Sequence, residues 1–428
     1  MQETLQKFII EGRKKLYGTV KVSGSKNAAL PILCATLLSD GPSEIKNLPD
    51  IADIHTLLKI FVELGVKITF NGHAAKIDPS KLKLGNITDK YINSMRASIL
   101  LLGPLLQRFH EVHIPYPGGC VLGKRSASAH TYVFKAMGAE VLDDVQTLHV
   151  CRKKLKAANV IMPELSVTAT ENLIMLSVLT QGITEIRLAA TEPHVQDLCR
   201  FLIKMGAKIK GIGTHHLVIE GVKALHGTAH SITGDYLEAG TFAIASLVTG
   251  GEVTVKGIQT AQLDSFWQKL TEAKANFEIT PDEIRLFPTK NLQAVEILRT
   301  AVYPSFPTDL QAPFTILLTQ SHGQSKIFET LFEGRLNYLF ELEKMGAKVQ
   351  ILNPHQAIIT GPTPLKGVPI ISSDIRAGAA MVLAALCANG TTEIANIKYI
   401  DRGYEKLDEK LRSLGAGIQR VESSSEAF

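Results

Sequence analysis

The stretch "PYPGGCVLGKRS", residues 115–126, places Cys120 behind two glycines and ahead of Lys124 and Arg125. Prolines and glycines at this density keep a segment out of helix and make it a loop. Neighbouring cations favour a thiolate or an anion bound beside it, so Cys120 is a candidate reactive thiol, with an incidental loop cysteine as the alternative. Other chemistry-bearing residues stand at the fronts of very apolar segments: Lys26 with Asn27, Arg96, Thr170 with Glu171, Glu238, Asp309, and Asp374 with Arg376. Buried helices carry their charges at their ends, and a carboxylate in a first turn is ordinary capping, a role open to Asp309 after Thr308 and to Asp374 after Ser373. Cations are different. The positive end of a helix dipole opposes Lys26, Arg96 and Arg376 unless an anion shares the site, which makes phosphate or carboxylate ligands the expectation.

The elements that must hold these residues recur. "LGVKI" at Leu64, "MGAEV" at Met137, "MGAKI" at Met205, "MGAKV" at Met345 and "LGAGI" at Leu414 are spaced by about 70 residues or a multiple of it, and a degraded copy, "AKANF", stands at Ala273. Each intact copy predicts a helix stopped by a left-handed glycine and followed by a short strand; the degraded copy has lost the glycine. At the same period, apolar segments such as "EAGTFAIASLVTGGEVTV" and "DIRAGAAMVLAALCANGTTEI" predict helices buried on every side, each leading into a strand. Their partners, such as "DIHTLLKIFVELGVKI", are amphipathic and predict helices with one solvent face. Six such units predict an α/β protein of two lobes, each of three units with apolar helices beneath sheets. A solenoid fits less well, because the units are long, mixed and without capping repeats.

Composition narrows the function. The chain has 428 residues, 45% hydrophobic and 20% charged, and 46 basic against 41 acidic side chains leave a net charge of +5. No basic run tracks a nucleic-acid backbone, so small anions are the expected partners. The five cysteines (Cys34, Cys120, Cys151, Cys199, Cys387) have no C-x-x-C spacing, so neither a disulfide framework nor a zinc cage is expected. A start without a signal-peptide pattern and the lack of a long apolar run make a cytoplasmic protein without membrane association the expectation.

"SGSKNAALP" from Ser23, "MRAS" from Met95, "PGGCVLGKR" from Pro117, "FPTDLQA" from Phe306, "SDIRAGAA" from Ser373 and "DRGYEKL" from Asp401 together resemble the enolpyruvyl transferases. That resemblance implies a two-lobed inside-out α/β barrel, each lobe three repeats of a βαβαββ-type unit. It implies lobe limits of 26–232, with the Cys120 loop as a lid, and of 1–25 plus 233–428. The implied reaction moves the enolpyruvyl group of phosphoenolpyruvate to the 3-hydroxyl of UDP-N-acetylglucosamine in peptidoglycan precursor synthesis, releasing phosphate through a tetrahedral intermediate. Neither a metal nor an organic cofactor is implied. Cys120 would be general acid and Asp309 would accept the hydroxyl proton. Lys26, Arg125 and Arg402 would meet the phosphate and carboxylate of phosphoenolpyruvate. Asn27, Arg96, Arg335, Asp374 and Arg376 would support these groups or position the acceptor.

Departures from the family pattern gather on the nucleotide side. Ser128 stands where an aspartate bonds the base, and Thr168, in the run Ser166, Val167, Thr168, replaces a glycine whose backbone approaches the diphosphate. Tyr236 stands where arginine is frequent, and Gly334 and Leu336 flank Arg335 in place of asparagine and an aromatic. A different nucleotide or sugar acceptor, or a silent nucleotide-binding regulator, therefore stays open, as does the oligomeric state. A shikimate-type transferase lacks the Pro-Gly-Gly-Cys lid.

Overall fold

The computed structural model describes residues 6–85, 89–115, 127–143 and 147–422. The apolar segments form Lys26–Thr36, Leu102–Arg108, Val167–Ser177, Tyr236–Thr249, Gln311–Thr319 and Ile375–Cys387. In Ile375–Cys387 every residue after the first is buried, as its all-round apolar composition requires. Two segments begin differently from the expected continuous α-helix: Arg96–Leu101 and Thr308–Leu310 are 3-10 turns that feed the α-helices starting at Leu102 and Gln311. Pro104 and Pro313 fit the offset. Each is the third residue of its α-helix, where proline removes only a donor that would be unpaired; Pro31, sixth in Lys26–Thr36, sits deeper in its helix without such an offset.

The chain divides into two compact units. One holds the described residues up to Ser23 and from Gly234 onward; the other holds those between Gly24 and Thr233. In the first unit the helices beginning at Tyr236, Gln311 and Ile375 pack on one another, inside three four-stranded sheets. The N-terminal strand Gln6–Glu11 lies between Thr391–Ala395 and Gly417–Glu422, antiparallel to both, with Phe8 opposite Ile394 on one side and Arg420 on the other. Tyr17–Lys21 joins a second sheet of this unit, parallel to Glu252–Lys256. In the second unit the helix Val167–Ser177 packs on Leu102–Arg108, and Lys26–Thr36 packs on the 3-10 turn at Arg96. Two four-stranded sheets and one three-stranded sheet enclose them. Each unit has its own apolar core. Among the described residues, no helix is long and apolar enough to cross a membrane.

The repeat is visible in the backbone. Gly65, Gly138, Gly206, Gly346 and Gly415 all have left-handed φ, between 78° and 104°, where their helices stop. At the equivalent place in the degraded copy Lys274 takes φ 55° without the freedom of glycine. The turn is thus imposed by the unit, and the side chain tolerates it.

Candidate active site

In the first unit, Asp309, Arg335, Asp374 and Arg376 come together. Asp309 Oδ1 accepts from Arg335 Nη2 at 2.8 Å, and Arg376 Nη2 stands 3.4 Å from the other carboxylate oxygen. Arg335 Nη1 lies 4.0 Å from Asp374 Oδ1. The two guanidinium groups are almost wholly buried, whereas Asp309 keeps about a quarter of its side chain exposed, at 26%. The two aspartates, equivalent as capping candidates in the sequence, take different roles. Asp374 is the cap of its helix, accepting from Arg376 N at 2.8 Å and Ala377 N at 2.9 Å. Asp309, inside its 3-10 turn, faces the arginines.

Arg376 also stacks on buried Tyr404, its guanidinium carbon 5.2 Å from the ring centroid, and Tyr404 in turn hydrogen-bonds Thr241 at 2.9 Å. Burial opposes the Arg376 charge, but Tyr404, Asp309 and Asp235 outweigh it and hold the pKa above the ordinary arginine value. Among the described residues, Arg376 Nη1 and Arg335 Nε are buried and without a hydrogen-bond partner. Arg402 ends the 3-10 turn Ile397–Arg402, which packs on the helix carrying Arg376. Glycines permit that approach: a Cβ on Gly403 would lie 2.5 Å from Ile375 Cγ2, and one on Gly378 2.7 Å from Ile400 Cγ1.

A second cluster in this unit was only half visible in the sequence. Glu238, singled out as a helix-start charge, is fully buried and receives Lys410 Nζ at 2.5 Å and Ser23 N at 2.7 Å. Ser23 Oγ donates to Glu405 at 2.6 Å. Burial raises the Glu238 pKa although Lys410 pulls it down. The "DRGYEKL" stretch thereby anchors the start of the "SGSKN" stretch.

In the second unit Lys26 begins its helix and Asn27, half-buried, follows. The anion that the dipole argument requires beside Lys26 is supplied by the chain itself: Asp53 Oδ2 lies 2.7 Å from Lys26 Nζ, with side-chain exposures of 5% and 11%. Arg376 likewise has Asp309. A cation at a helix front is therefore no independent sign of a bound ligand in this protein.

On the nucleotide side expected from sequence, Ser166 precedes the helix that opens with Val167 and Thr168, all three half-buried. Ser128 is exposed at the start of Ser128–Ala136. Thr168 is fixed through a chain of bonds. The Asn172 carboxamide oxygen accepts from Gly103 N at 2.8 Å and its nitrogen donates to Ile99 O at 2.9 Å, which sets the amide's orientation. That nitrogen also lies 3.0 Å from His130 Nδ1, so Nδ1 accepts and the ring proton sits on Nε2, 3.0 Å from Thr168 Oγ1. Burial, reinforced by Arg96, pushes the His130 pKa down to about 3, which keeps the ring neutral and this arrangement intact. The Thr168 oxygen accepts from His130, leaving its own proton to donate. Thr168 was a candidate from sequence, whereas His130 stood only as the histidine that closes the run Arg125–His130 and Asn172 was not singled out.

Buried thiols are inert by comparison: burial pushes Cys199 and Cys387 up to about 12, and raises Cys34 as well. Cys120 and Arg125 lie outside the described residues.

This architecture is that of the enolpyruvyl transferases. The fold matches the enolpyruvyl transferase NikO from Streptomyces tendae with a TM-score of 0.89, at 23% identity over 98% of this chain and 100% of that one. EPSP synthase from Acinetobacter baumannii matches with a TM-score of 0.76, at 19% identity and the same coverages. The chain belongs to the EPSP synthase (3-phosphoshikimate 1-carboxyvinyltransferase) family, whose model matches residues 10–411. It is 44% identical over 417 residues to UDP-N-acetylglucosamine 1-carboxyvinyltransferase 3 of Caldanaerobacter subterraneus subsp. tengcongensis, covering 97% of this chain and 100% of that one.

Proposed function

We propose that this chain transfers the enolpyruvyl group of phosphoenolpyruvate to the 3-hydroxyl of UDP-N-acetylglucosamine, releasing phosphate, as a step of peptidoglycan precursor synthesis. The observation that carries this reading is the full-length likeness to a carboxyvinyltransferase named for that acceptor. The geometry suits it. Asp309 has both carboxylate oxygens oriented by guanidinium groups and remains partly open, as a group taking the proton of an attacking hydroxyl must. Addition of that oxygen to C2 of phosphoenolpyruvate needs a proton at C3, the role assigned to Cys120; loss of a C3 proton together with phosphate then regenerates the double bond. Lys26, Arg125 and Arg402 bind the substrate's two anionic groups. Arg335 and Arg376 hold Asp309, with Asp374 and Arg96 supporting the arginine and His130 clusters. Asn27, Ser128, Ser166, Val167 and Thr168 meet the acceptor, and residues 26–232 form one lobe with 1–25 and 233–428 forming the other.

The test is phosphate release from phosphoenolpyruvate with UDP-N-acetylglucosamine. Turnover is expected, nearly abolished by Cys120→Ser and by Asp309→Ala and retained by Cys120→Asp, which keeps an acid. Full activity in Cys120→Ser removes that residue from its role. A second reading, a related transferase with another nucleotide acceptor, is favoured by the Thr168 hydroxyl standing locked to His130 where the family has glycine. It predicts turnover only with another nucleotide.

A further inference from the structure

The three-stranded sheet of the second unit runs Glu111–Pro115, Thr147–Cys151, Glu140–Asp143, with the middle strand antiparallel to both neighbours. Alternation decides what each face carries. Val112, Ile114, Leu148 and Val150 are buried in the core, so Glu111, His113, His149 and Cys151 share the outer face. The register sets His113 directly opposite His149 and Glu111 directly opposite Cys151. Four side chains with metal-binding atoms therefore occupy one two-by-two patch, far closer than their sequence separation suggests.

Their tips converge. Glu111 Oε2 is 3.2 Å from His149 Nε2 and 3.9 Å from His113 Nε2, and one ligand atom from each of the three residues lies within 4.8 Å of the others. The two imidazoles stack, centroids 3.5 Å apart and 22° from parallel, which aims both Nε2 atoms at the same carboxylate. Cys151 Sγ is 2.9 Å from His149 Nε2 and 3.9 Å from Glu111 Oε2. Zinc bonds of about 2.0–2.1 Å to N and O, and about 2.3 Å to S, give tetrahedral edges of roughly 3.3–3.6 Å. The separations among Glu111, His149 and Cys151 bracket those edges, whereas the mutual group within 4.8 Å holds only Glu111, His113 and His149, so the Cys151 side chain must swing toward His113 to complete the set. Another acidic side chain on this face, Glu140, opposite Cys151, is engaged with Lys153 at 2.6 Å.

We propose that Glu111, His113 and His149, with Cys151 as fourth donor, form a surface zinc site. Two imidazoles, a carboxylate and a thiolate suit zinc, and all four ligands come from adjacent strands, so the site is built by the sheet and needs no loop to close it. On binding, the Cys151 proton passes to solvent and the thiolate ligates.

The probe is cobalt(II), added to the chelator-treated full chain and followed by absorption. One saturating equivalent is expected, with tetrahedral d–d bands and a thiolate-to-cobalt charge-transfer band, all displaced by zinc. Cys151→Ser should lose the charge-transfer band and keep weaker d–d bands. His113→Ala and His149→Ala should each weaken binding by at least the roughly 10–100-fold that losing even an outer partner of a ligand costs. Glu111→Gln, nearly isosteric, guards against a folding artefact and should also weaken binding. Absence of saturable binding, a charge-transfer band that survives Cys151→Ser, or histidine variants that bind like the parent would each overturn the proposal and leave a hydrogen-bonded cluster.

Discussion

Asp53 and Lys26 both sit in the first turn of a helix, Asp53 in Ala52–Glu63 and Lys26 in Lys26–Thr36, yet the dipole favours one and opposes the other. Deleting one partner of a buried pair costs about 3–5 kcal/mol, because the remaining charge is stranded. Asp53 without Lys26 keeps a helix N-terminus worth about 0.3–1 kcal/mol, and Lys26 without Asp53 is penalised by a similar amount. Asp53→Ala should therefore cost about 4 kcal/mol and Lys26→Ala about 3 kcal/mol. The double variant strands nothing and should cost less than either single variant, a coupling of at least about 4 kcal/mol. Urea unfolding of the four proteins measures this cycle. For a unit of this size, Asp53→Ala corresponds to a fall in Tm of roughly 8–16 °C, at about 2–4 °C per kcal/mol. Additivity within about 0.5 kcal/mol, or a larger loss for Lys26→Ala than for Asp53→Ala, would refute the reasoning.

Glu171 is fully buried, and burial followed by the nearby Glu192 raises its pKa well above the ordinary carboxylate value. A raised folded pKa stabilises fully below the unfolded value and is lost as pH climbs through the folded value, at up to about 1.4 kcal/mol per pH unit. Glu171→Gln mimics the neutral acid, so its stability advantage over the parent in thermal melts should grow as pH rises above the ordinary carboxylate range; a gap that stays flat contradicts the assignment. Lys274 is exposed and left-handed at φ 55°. Lys274→Gly relieves about 1–2 kcal/mol of strain against about 0.5–1 kcal/mol of added chain entropy, so denaturant unfolding should show a gain of about 0.5–1 kcal/mol; a loss would mean the turn is not strained.

The fold was legible because its repeat is written in a few physically necessary residues. A glycine beyond each outer helix and an apolar stretch for each inner one suffice to count the units, and Lys274 shows the geometry surviving the loss of the glycine. The offset of Arg96 and Asp309 into 3-10 turns fits Pro104 and Pro313, but Pro31 brings none, so proline alone does not foretell it. Partnerships were not legible. Asp53 is an unremarkable first-turn acid until Lys26 is seen beside it, and Lys410 and Ser23 meet at Glu238 from opposite ends of the chain. Likewise "EVH" and "HVC" read as two strands; only their register makes a four-donor patch. Pattern reveals periodicity, but pairing between distant segments depends on topology that spacing does not encode.

Strand Gln6–Glu11 has its neighbours at Thr391–Ala395 and Gly417–Glu422. A ribosome adding about 5–20 residues per second releases the opening segment roughly 20–80 s before its last companion exists. The continuous stretch from Gly24 to Thr233 can mature while still tethered, whereas the remainder stays unfinished until Gly417–Glu422 has been made. Throughout that interval strand Gln6–Glu11 carries unsatisfied edges, so holdase chaperones and synthesis speed bear on this strand in particular.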